Sequence, residues 1–412
     1  MMRSLFSGVS GLKSHQTRMD VIGNNISNVN TVGFKSSRTT FAETLNQTLT
    51  GASAPDDPTT GGTNPKQIGL GTGVASIDMI FTDGSVQSTG KNTDLCLSGN
   101  GLFIVRQGDN TYYTRDGAFE FDAAGNYVLP GSGLYVQGWE RDANGNIDTG
   151  TAPTDIVVPS GQTIDAREST TATFSGNLNA ESATGTQLTS TISVYASQGQ
   201  HYSVPVVFEK TGTNAWSYTV ANSWQASDGT TATLTGTVTF DKNGKYASGA
   251  DATMTVNLAN TDGSKTPITL TLSTKKLTQC ASESTLHVQQ DGYSSGTLQS
   301  VSIDNQGIIT GTYSNGVKRQ EARVAIAQFA NASGLTKYGN SLYQVSNNSG
   351  QPSVGTNSAL GVTITPSALE MSNTDIANEF ADMIITQRGF QSNSKIITVG
   401  DEMLETLINM KR

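Results

Sequence analysis

The sequence is poor in the residues that usually carry chemistry. It contains two cysteines and three histidines among 412 residues, and charged residues make up 14% of the chain, against about 25% in typical soluble domains. His15, His201 and His287 have no second histidine, cysteine or carboxylate at metal-ligand spacing, and the sequence contains no nucleophile-elbow or phosphate-loop motif. We therefore expect no enzymatic activity, no bound metal and no cofactor.

The sequence also lacks the features that a nucleic-acid or membrane partner would require. Its formal net charge is −9 and its lysines and arginines form no basic patch, which disfavours binding to a phosphate backbone. It has no apolar run of about 18 residues, so no membrane-spanning segment is predicted. Serine and glycine interrupt residues 1–11 too often for a secretory signal, and we expect export without a cleaved signal peptide.

A disulfide and a calcium loop are both disfavoured. Cys96 and Cys280 lie far apart in the chain, and we expect Cys96 to be a small apolar strand residue and Cys280 a lone thiol. Residues 142–148 have oxygen-bearing side chains at alternate positions, but they lack the glycine at the sixth position and a glutamate in register. A plain turn is predicted there.

The sequence does have matching apolar stripes at its two ends. Each stripe steps by seven residues, which keeps its members on one face of a helix. The N-terminal stripe consists of Leu5, Leu12, Met19 and Ile26, with a second row of Val9, Ile22 and Val29. The C-terminal stripe consists of Ile376, Met383, Phe390, Ile397 and Leu404, with a second row of Phe380, Ile396, Met403, Leu407 and Ile408. The first helix is predicted to run from about Ser4 to about Val29.

These stripes predict an assembly interface. One helix from each end cannot surround the other, so part of each apolar face should stay uncovered in a single chain. At roughly 1.5–3 kcal/mol for each fully buried large side chain, the five C-terminal stripe residues represent on the order of 10 kcal/mol of burial. Head-to-tail contacts that do not close give an open helical filament, so the expected partner is another copy of the chain.

Between the stripes, the sequence predicts strands and turns. From about Gly69 onwards apolar and polar residues alternate. A unit of one apolar residue, aspartate, two further residues and glycine recurs at 121–125, 240–244 and 303–307. Its aspartate can accept hydrogen bonds within the turn, and its glycine can take the positive φ that reverses a strand, so each unit predicts a hairpin.

The segment before these strands has a different pattern. Phe34, Phe41, Leu45 and Leu49 follow a partly helical spacing, and residues 51–62 are rich in glycine, proline and polar residues. We interpret residues 31–64 as an extended connector that contains one mobile loop.

The predicted fold is multidomain, with N- and C-terminal α-helices and two mainly-β domains. The helices at 1–30 and 370–412 are expected to form a coiled-coil-like core domain, followed by an extended connector at 31–70 and 356–369. A flanking β-domain is predicted at 71–145 and 286–355. Residues 146–285 are rich in alternating threonine, which suits strands with one packed and one wet face, and predict an outer β-domain inserted into the flanking one.

The terminal segments resemble the signatures of the rod and hook family, the axial proteins of the bacterial flagellum. The N-terminal resemblance covers residues 5–12 (Leu-Phe-Ser-Gly-Val-Ser-Gly-Leu) and 20–35. The C-terminal resemblance covers 367–375 (Ser-Ala-Leu-Glu-Met-Ser-Asn-Thr-Asp) and 387–394 (Gln-Arg-Gly-Phe-Gln-Ser-Asn-Ser). Residues 81–90, 291–296 and 311–315, together with the large middle domain, resemble the hook members of this family more than the shorter rod members.

The resemblance implies a structural subunit of a curved helical tube outside the cell, which joins the rod to the filament and transmits torque as a universal joint. It implies export through the flagellar type III apparatus, and the pair Phe41 and Leu45 resembles the short segment by which such substrates contact the export gate. The implied partners are the chain itself, the distal rod protein, the hook cap protein, the hook–filament junction protein and the hook-length control protein.

Two alternatives stay open at this point. The chain could be a distal rod protein of the same family. It could also be a secreted β-rich adhesin whose coiled-coil ends form a small closed oligomer, which would account for the threonine-rich strands but not for the paired terminal signatures.

Overall fold

A computed structural model describes residues 2–54, 61–143, 145–220, 234–249, 251–259 and 265–410 of the chain. Two long helices lie at the ends of this described part, and the residues between them form mainly strands, as the sequence predicts. The helices are α1 Met2–Ser27, α2 Asn357–Leu360 and α3 Ile376–Asn409, with a 3-10 turn at Ala332–Gly334.

Side chains explain where the long helices begin and end. Asn28 donates from Nδ2 to the carbonyl of Asn24 at 2.9 Å and so competes with the helical backbone pattern at the end of α1. The helix therefore ends two residues before the predicted limit, and Val29 lies in the following turn instead of on a helix face. At the other end of the chain, the carboxylate of Asp375 caps α3 by accepting the backbone N–H of Ala377 at 2.9 Å.

The strands are numbered in chain order. Those of the first half are β1 Ser37–Glu43, β2 Asn46–Thr50, β3 Lys66–Gly69, β4 Thr72–Met79, β5 Val86–Ser88, β6 Leu95–Ser98, β7 Leu102–Gln107, β8 Asn110–Thr114, β9 Glu120–Phe121, β10 Tyr127–Leu129, β11 Leu134–Glu140, β12 Thr154–Asp155, β13 Thr163–Ile164, β14 Thr171–Asn177 and β15 Gln187–Tyr195. Those of the second half are β16 His201–Gly212, β17 Ala215–Val220, β18 Thr235–Phe240, β19 Tyr246–Gly249, β20 Ala252–Ala259, β21 Lys265–Thr278, β22 Thr285–Gln290, β23 Gly296–Ile303, β24 Ile308–Tyr313, β25 Lys318–Val324, β26 Ile326–Gln328, β27 Thr336–Gly339, β28 Leu342–Gln344, β29 Ser353–Gly355, β30 Thr363–Pro366 and β31 Ala368–Glu370.

The strands begin earlier than the sequence predicts, within the stretch interpreted as an extended connector. Strands β1 and β2 occupy this stretch, where β1 pairs antiparallel with β4 and β2 with β3. We call β1–β4 the ribbon. The threonines of β1 and β2 favour strands. The partners of these two strands lie some tens of residues further along the chain, so a local spacing pattern does not show the pairing. Residues 55–60 of the predicted mobile loop lie outside the described residues.

The chain divides into two compact units, of which unit 1 comprises Met1–Ser160, Val301–Thr310 and Gln320–Arg412. Its sheet is antiparallel around β11, which pairs with β7, β10, β12 and, through residues 322–324, β25. Strand β7 also pairs with β8 and β26. One buried cluster of this unit consists of Met79, Leu102, Ile104, Tyr113, Trp139, Ala325, Ala327, Phe329, Leu335 and Tyr343.

Unit 2 comprises Gly161–Ser300 and Gly311–Arg319. It contains a four-stranded sheet in the order β20-β21-β14-β22 and a five-stranded meander β15-β16-β17-β18-β19. Phe174, Phe208, Trp216 and Tyr218 from these strands share one buried core. Along β18, Val238 and Phe240 are buried while the neighbouring threonines are exposed or half-buried, as the threonine-rich alternation predicts; residues 231–233 of that pattern lie outside the described residues.

The three predicted aspartate–glycine turns are confirmed. Asp122 Oδ1 accepts the backbone N–H groups of Ala124 at 2.9 Å and Asn126 at 2.8 Å, and Gly125 has φ +90°. Equivalent bonds are made by Asp241 and by Asp304. This geometry satisfies the turn amides with the aspartate side chain and places glycine where other residues are strained.

A fourth copy of this turn lies at residues 142–145, in the segment with oxygen-bearing side chains at alternate positions. Asp142 Oδ1 accepts the backbone N–H of Asn146 at 2.7 Å, and Gly145 has φ +94°. The plain-turn prediction is therefore confirmed, with residue 144 outside the described part. Across the described residues, no group of three or more histidine, cysteine, aspartate or glutamate side chains is placed to hold a metal ion.

Both cysteines are free thiols. Cys96 is fully buried in β6, where burial raises the pKa of its thiol to about 11, and Cys280 is exposed. The prediction of a small apolar strand residue and a lone thiol is confirmed. None of the helices in the described ranges has the length and apolar character to cross a membrane.

Candidate assembly surface

Helices α1 and α3 lie side by side and run in opposite directions. Both belong to unit 1, and close approaches between glycines and side chains of the opposite helix define their register. The paired positions are Leu5 with Gly400, Gly8 with Ile397, Gly11 with Asn393 and His15 with Gly389.

The glycines allow this close approach. A Cβ atom added at Gly400 would lie 2.7 Å from Leu5 Cδ2, and one added at Gly389 would lie 2.6 Å from the ring of His15. Stripe side chains such as Leu5 therefore pack over glycines of the opposite helix. The two helices are in contact, but this contact covers little of the larger apolar side chains on α3.

At the other end of the helix pair, polar side chains of α1 contact polar side chains of α3. Arg18 and Asp382 form an ion pair at 3.1 Å, and Asn25 donates from Nδ2 to Glu379 Oε1 at 2.9 Å. Burial raises the pKa of the Glu379 carboxyl, and the hydrogen bond from Asn25 opposes that rise. These contacts set the register of the pair at the end opposite to Leu5.

The ribbon covers another face of α1. Ser10 Oγ accepts the backbone N–H of Thr72 at 3.2 Å, and Ser14 Oγ donates to the Thr72 carbonyl at 3.3 Å. Asn25 donates to the carbonyl of Ser37 at 2.7 Å and accepts its N–H at 3.0 Å. Helix α1 is thus held on one side by α3 and on another by the ribbon.

Most of the predicted N-terminal interface is covered within the chain. Only Val9 is exposed, at 40%, and Ile22 is buried. Leu5, Leu12, Met19, Ile26 and the post-helical Val29 are half-buried.

The predicted C-terminal interface is much more open. Of the 34 residues in α3, only Thr386 and Gly400 are buried. Met383, Ile397 and Leu404 are half-buried, while the exposed residues are Ile376, Phe380 and Phe390.

Two exposed apolar rows follow α3. The first row steps by four residues and consists of Ile376, Phe380 and Ile384; the second steps by three or four and consists of Ile396, Val399, Met403 and Leu407. Leu5 packs against Gly400, so the last turns of α3 extend past the start of α1, and no helix of the described residues lies beside them. Ile384 and Val399 were missed by the sequence analysis, although the same helical spacing points to them.

The predicted export segment lies on the ribbon. Phe41 in β1 packs edge-on against His15 with ring centroids 5.6 Å apart, and Arg18 lies 6.0 Å from the Phe41 ring centroid. Leu45, between β1 and β2, is 75% exposed. In the folded chain, Phe41 is therefore partly covered by α1 while Leu45 is open to solvent.

A buried ionic cluster, which the sequence analysis missed, lies where the two terminal segments enter the β-part of unit 1. Lys35 Nζ lies 2.6 Å from Glu370 Oε1, and Arg115 Nη1 lies 3.1 Å from Glu370 Oε2. All three side chains are at most 1% exposed. Burial is the main cause of the lowered pKa of Lys35, and the charge of Glu370 opposes it.

The signal that could have revealed this cluster lies in the signature segments. Lys35 ends the N-terminal segment, Glu370 lies within the C-terminal one, and Gly84 of the 81–90 segment donates its N–H to Glu370 Oε1 at 2.9 Å. Lys35 and Glu370 carry opposite charges in the two terminal signatures, and such side chains are almost never fully buried unless they are paired.

Family models for flagellar axial proteins match four parts of the chain. They are described as flagella basal body rod protein (residues 5–35), flagellar hook protein FlgE/F/G D1 domain (96–180), flagellar basal body protein FlaE D2 domain (163–293) and flagellar basal body rod FlgEFG protein C-terminal (365–410). The first and last of these matches contain the terminal signatures.

Whole-chain comparisons give the same result. The chain is 42% identical to the flagellar hook protein FlgE of Borreliella burgdorferi and 40% identical to that of Treponema pallidum, in both cases over all of the chain and all of the relative. Its structure is similar to the crystal structure of the Helicobacter pylori flagellar hook protein FlgE2, with a TM-score of 0.51, 16% identity, and coverage of 69% of this chain and 100% of that one. The structural likeness supports the fold.

Proposed function

Because the chain belongs to the flagellar hook protein family and is a structural subunit of the hook, we propose that the exposed rows of α3, together with the exposed Phe390, are the surface through which its copies polymerise. The observation that carries this proposal is the scarcity of burial on α3, where two of 34 residues are buried. A 34-residue helix with so little packing gains its stability from partners outside the chain.

In this proposal the helix pair, residues 1–30 and 370–412, is the coiled-coil-like inner domain of the polymer. The antiparallel contact of α1 with α3 covers most of the N-terminal interface residues and leaves the α3 rows for neighbouring copies. The flanking β-domain and the inserted β-domain are separate parts of the subunit, and the two buried clusters support their independent folding.

The subunit works in the hook, outside the cell body, where the family associates with the rod and with other hook-associated proteins. We propose that its contacts include the distal rod protein, the hook cap protein, the hook–filament junction protein and the hook-length control protein, and that the assembled tube acts as a universal joint. Its role is then wholly structural. Uncharged threonine, serine and asparagine surfaces suit contacts that re-form as the tube bends, because no buried ion pair has to be broken.

Export without a cleaved signal peptide, through the flagellar type III gate, is part of the same proposal. Phe41 and Leu45 are the residues we assign to gate contact. In the folded chain Phe41 packs against His15, so the segment becomes fully available only when α1 leaves the ribbon.

The test is Phe390→Asp, which places a charge on α3 at a 37% exposed position. We expect the purified variant to form no polymer and cells that express it to lack hooks, because the charge would have to be buried between copies. Far-ultraviolet circular dichroism should show retained β structure.

Thr398→Asp is the matched control, because it adds the same charge at an exposed, polar position of α3 that belongs to neither row and removes no large apolar side chain. It should polymerise like the parent chain. Normal hooks from Phe390→Asp, seen by electron microscopy, would refute the assignment of α3 as the assembly surface.

A further inference from the structure

The ionic cluster of Lys35, Glu370 and Arg115 joins three segments that are far apart in sequence. Lys35 follows α1, Glu370 ends β31 shortly before α3, and Arg115 follows β8 of the sheet. The two segments that connect the terminal helices to the β-part of unit 1 are therefore held by one set of charged contacts.

This cluster is poorly suited to a role in stability alone. Removing three charges from water costs several kcal/mol for each ion, and buried ion pairs often recover no more than that. Lys35 and Arg115 share a single buried carboxylate, and a further acid, Asp83, lies 3.5 Å from Arg115 and is 42% exposed. Arg115 Nε has no hydrogen-bond partner among the described residues.

The contacts around the cluster are directional. Lys35 Nζ also donates to the carbonyl of Thr82 at 2.7 Å, and Arg115 donates to the carbonyls of Leu97 and Gly99. Each bond restricts an angle as well as a distance. The cluster thus holds the position of each segment relative to the other two.

Close backbone approaches further restrict the relative positions of these segments. Gly33 has φ +65° and donates its N–H to the Glu370 carbonyl at 2.8 Å, and a Cβ atom there would lie 2.5 Å from the Asp116 nitrogen. A Cβ atom at Gly84 would lie 1.9 Å from the Met371 carbonyl oxygen. These segments can adopt one arrangement with little room to slide.

Asn373 makes a second bridge between the same segments. Its Oδ1 accepts the backbone N–H of Ser36 at 2.8 Å, and its Nδ2 donates to the Ile80 carbonyl at 2.8 Å. The N-terminal segment, the 80–84 segment and the C-terminal segment are therefore joined twice, once by charge and once by an amide.

We propose that the Lys35–Glu370–Arg115 cluster is a geometric lock that fixes the direction in which the two terminal helices leave the β-part of unit 1. Through this lock, twist applied to the helical core of the hook reaches the surrounding β-domains instead of being absorbed at the joint. Lys35, Glu370 and Arg115 are positioning residues, and the lock rests on the proposed role of the helix pair as the core of the polymer.

The test replaces all three charges by methionine in the full-length chain. Methionine has a similar length and removes the desolvation cost, so Lys35→Met, Arg115→Met and Glu370→Met together should leave the melting temperature within a few degrees of the parent. We expect amide hydrogen exchange at residues 31–37 and 368–374 to rise at least tenfold, and the torsional stiffness of assembled hooks, measured from a bead attached to the hook, to fall at least twofold.

The matched control is Lys91→Met with Glu120→Met, which removes an exposed ion pair of 3.1 Å in the same unit. It should change neither hydrogen exchange at those segments nor stiffness. A triple variant with parental exchange and stiffness would overturn the lock, and so would one that fails to fold or melts far below the parent, since the cluster would then be a stability element.

Glu370→Asp provides an independent measurement because it retains every charge. The shorter side chain cannot reach Lys35, Arg115 and the Gly84 N–H together, so we expect the same increase in exchange in a folded protein. Hooks of reduced torsional stiffness would support the lock. If the folded variant formed no hooks and its amide hydrogen exchange were unchanged, the result would count against the lock and against the assignment of its effects to the joint. Failure of the assembly surface itself is reported separately by Phe390→Asp.

Discussion

Helix α3 and the core of unit 2 use apolar residues in opposite ways. In the core, Trp216, Phe208 and Tyr218 are fully buried, and inward positions alternate regularly along the strands. In α3, Phe380 and Ile384 are 49% and 57% exposed, and the buried residues are a threonine and a glycine. An apolar side chain therefore stabilises the single chain in one region and is available to other copies in the other.

The difference lies in how each element can be covered. A sheet hides one whole face against a second sheet of the same unit, whereas a lone helix hides only the side that faces its neighbour. On α3 that side is lined with glycines, which bring α1 close but cover few large side chains. Four predictions test this contrast between a self-sufficient core and an incomplete one.

The largest effect on the single chain is expected from Trp216→Ala. Removal of this buried ring leaves a cavity, and the local free energy of unfolding of unit 2 should fall by about 3–5 kcal/mol. Hydrogen exchange of strands β16 and β17 measures it. Ser217→Ala, the next residue on the opposite face, is the control and should cost less than about 1 kcal/mol.

Gly389→Leu should weaken the helix pair by about 1–3 kcal/mol, because the added side chain would collide with the ring of His15. The measurement is hydrogen exchange of α1 and α3 in the monomer. Gly23→Ala is the control: nothing lies within 4 Å of an added Cβ at Gly23, so α1 should gain about 0.5–1 kcal/mol from the better helix former. Equal losses from both variants would contradict the register described above.

Phe380→Ala is the counterpart of Trp216→Ala in the open region. Because Phe380 is already half in water, the unfolding free energy of the single chain should change by less than about 1 kcal/mol, while the critical concentration for polymerisation should rise. Light scattering against protein concentration measures the latter. A monomer strongly destabilised by this change would show that α3 is packed within its own chain.

The smallest effect is expected from pH at Glu379. The pKa of its carboxyl is raised in the folded chain, so Glu379 stabilises the helix pair below its ordinary pKa of 4.5. This stabilisation is lost as the pH rises through the raised pKa. Glu379→Gln should remove this part of the pH dependence, by less than about 1 kcal/mol because the carboxyl is partly solvated. Exchange of α1 and α3 at pH 4 and pH 7 tests it, with Asp401→Asn, an exposed acid on the same helix, as the control.

Features that depend on residues close together in the chain could be predicted from the sequence, and those that depend on distant residues could not. The helices at both ends and the aspartate–glycine turns depend on residues within a few positions of one another, and each was predicted. The strands at residues 37–50 were not predicted, because they pair with residues 66–79 and no local pattern shows that pairing. The positions of Ile384 and Val399 were within reach of the helical pattern, but their exposure depends on where α1 ends beside α3.

The sequence by itself determined the family, the two long helices, their apolar faces and the strand-rich middle, because periodicity and turn chemistry are local. Only the tertiary structure decided which side of α3 meets α1, which apolar rows stay open, and that Lys35, Arg115 and Glu370 share one buried site. Lys35 and Glu370 are 335 positions apart in the chain, and no local pattern links them. Their encounter is a consequence of how the two ends of the chain return to the same place in the fold.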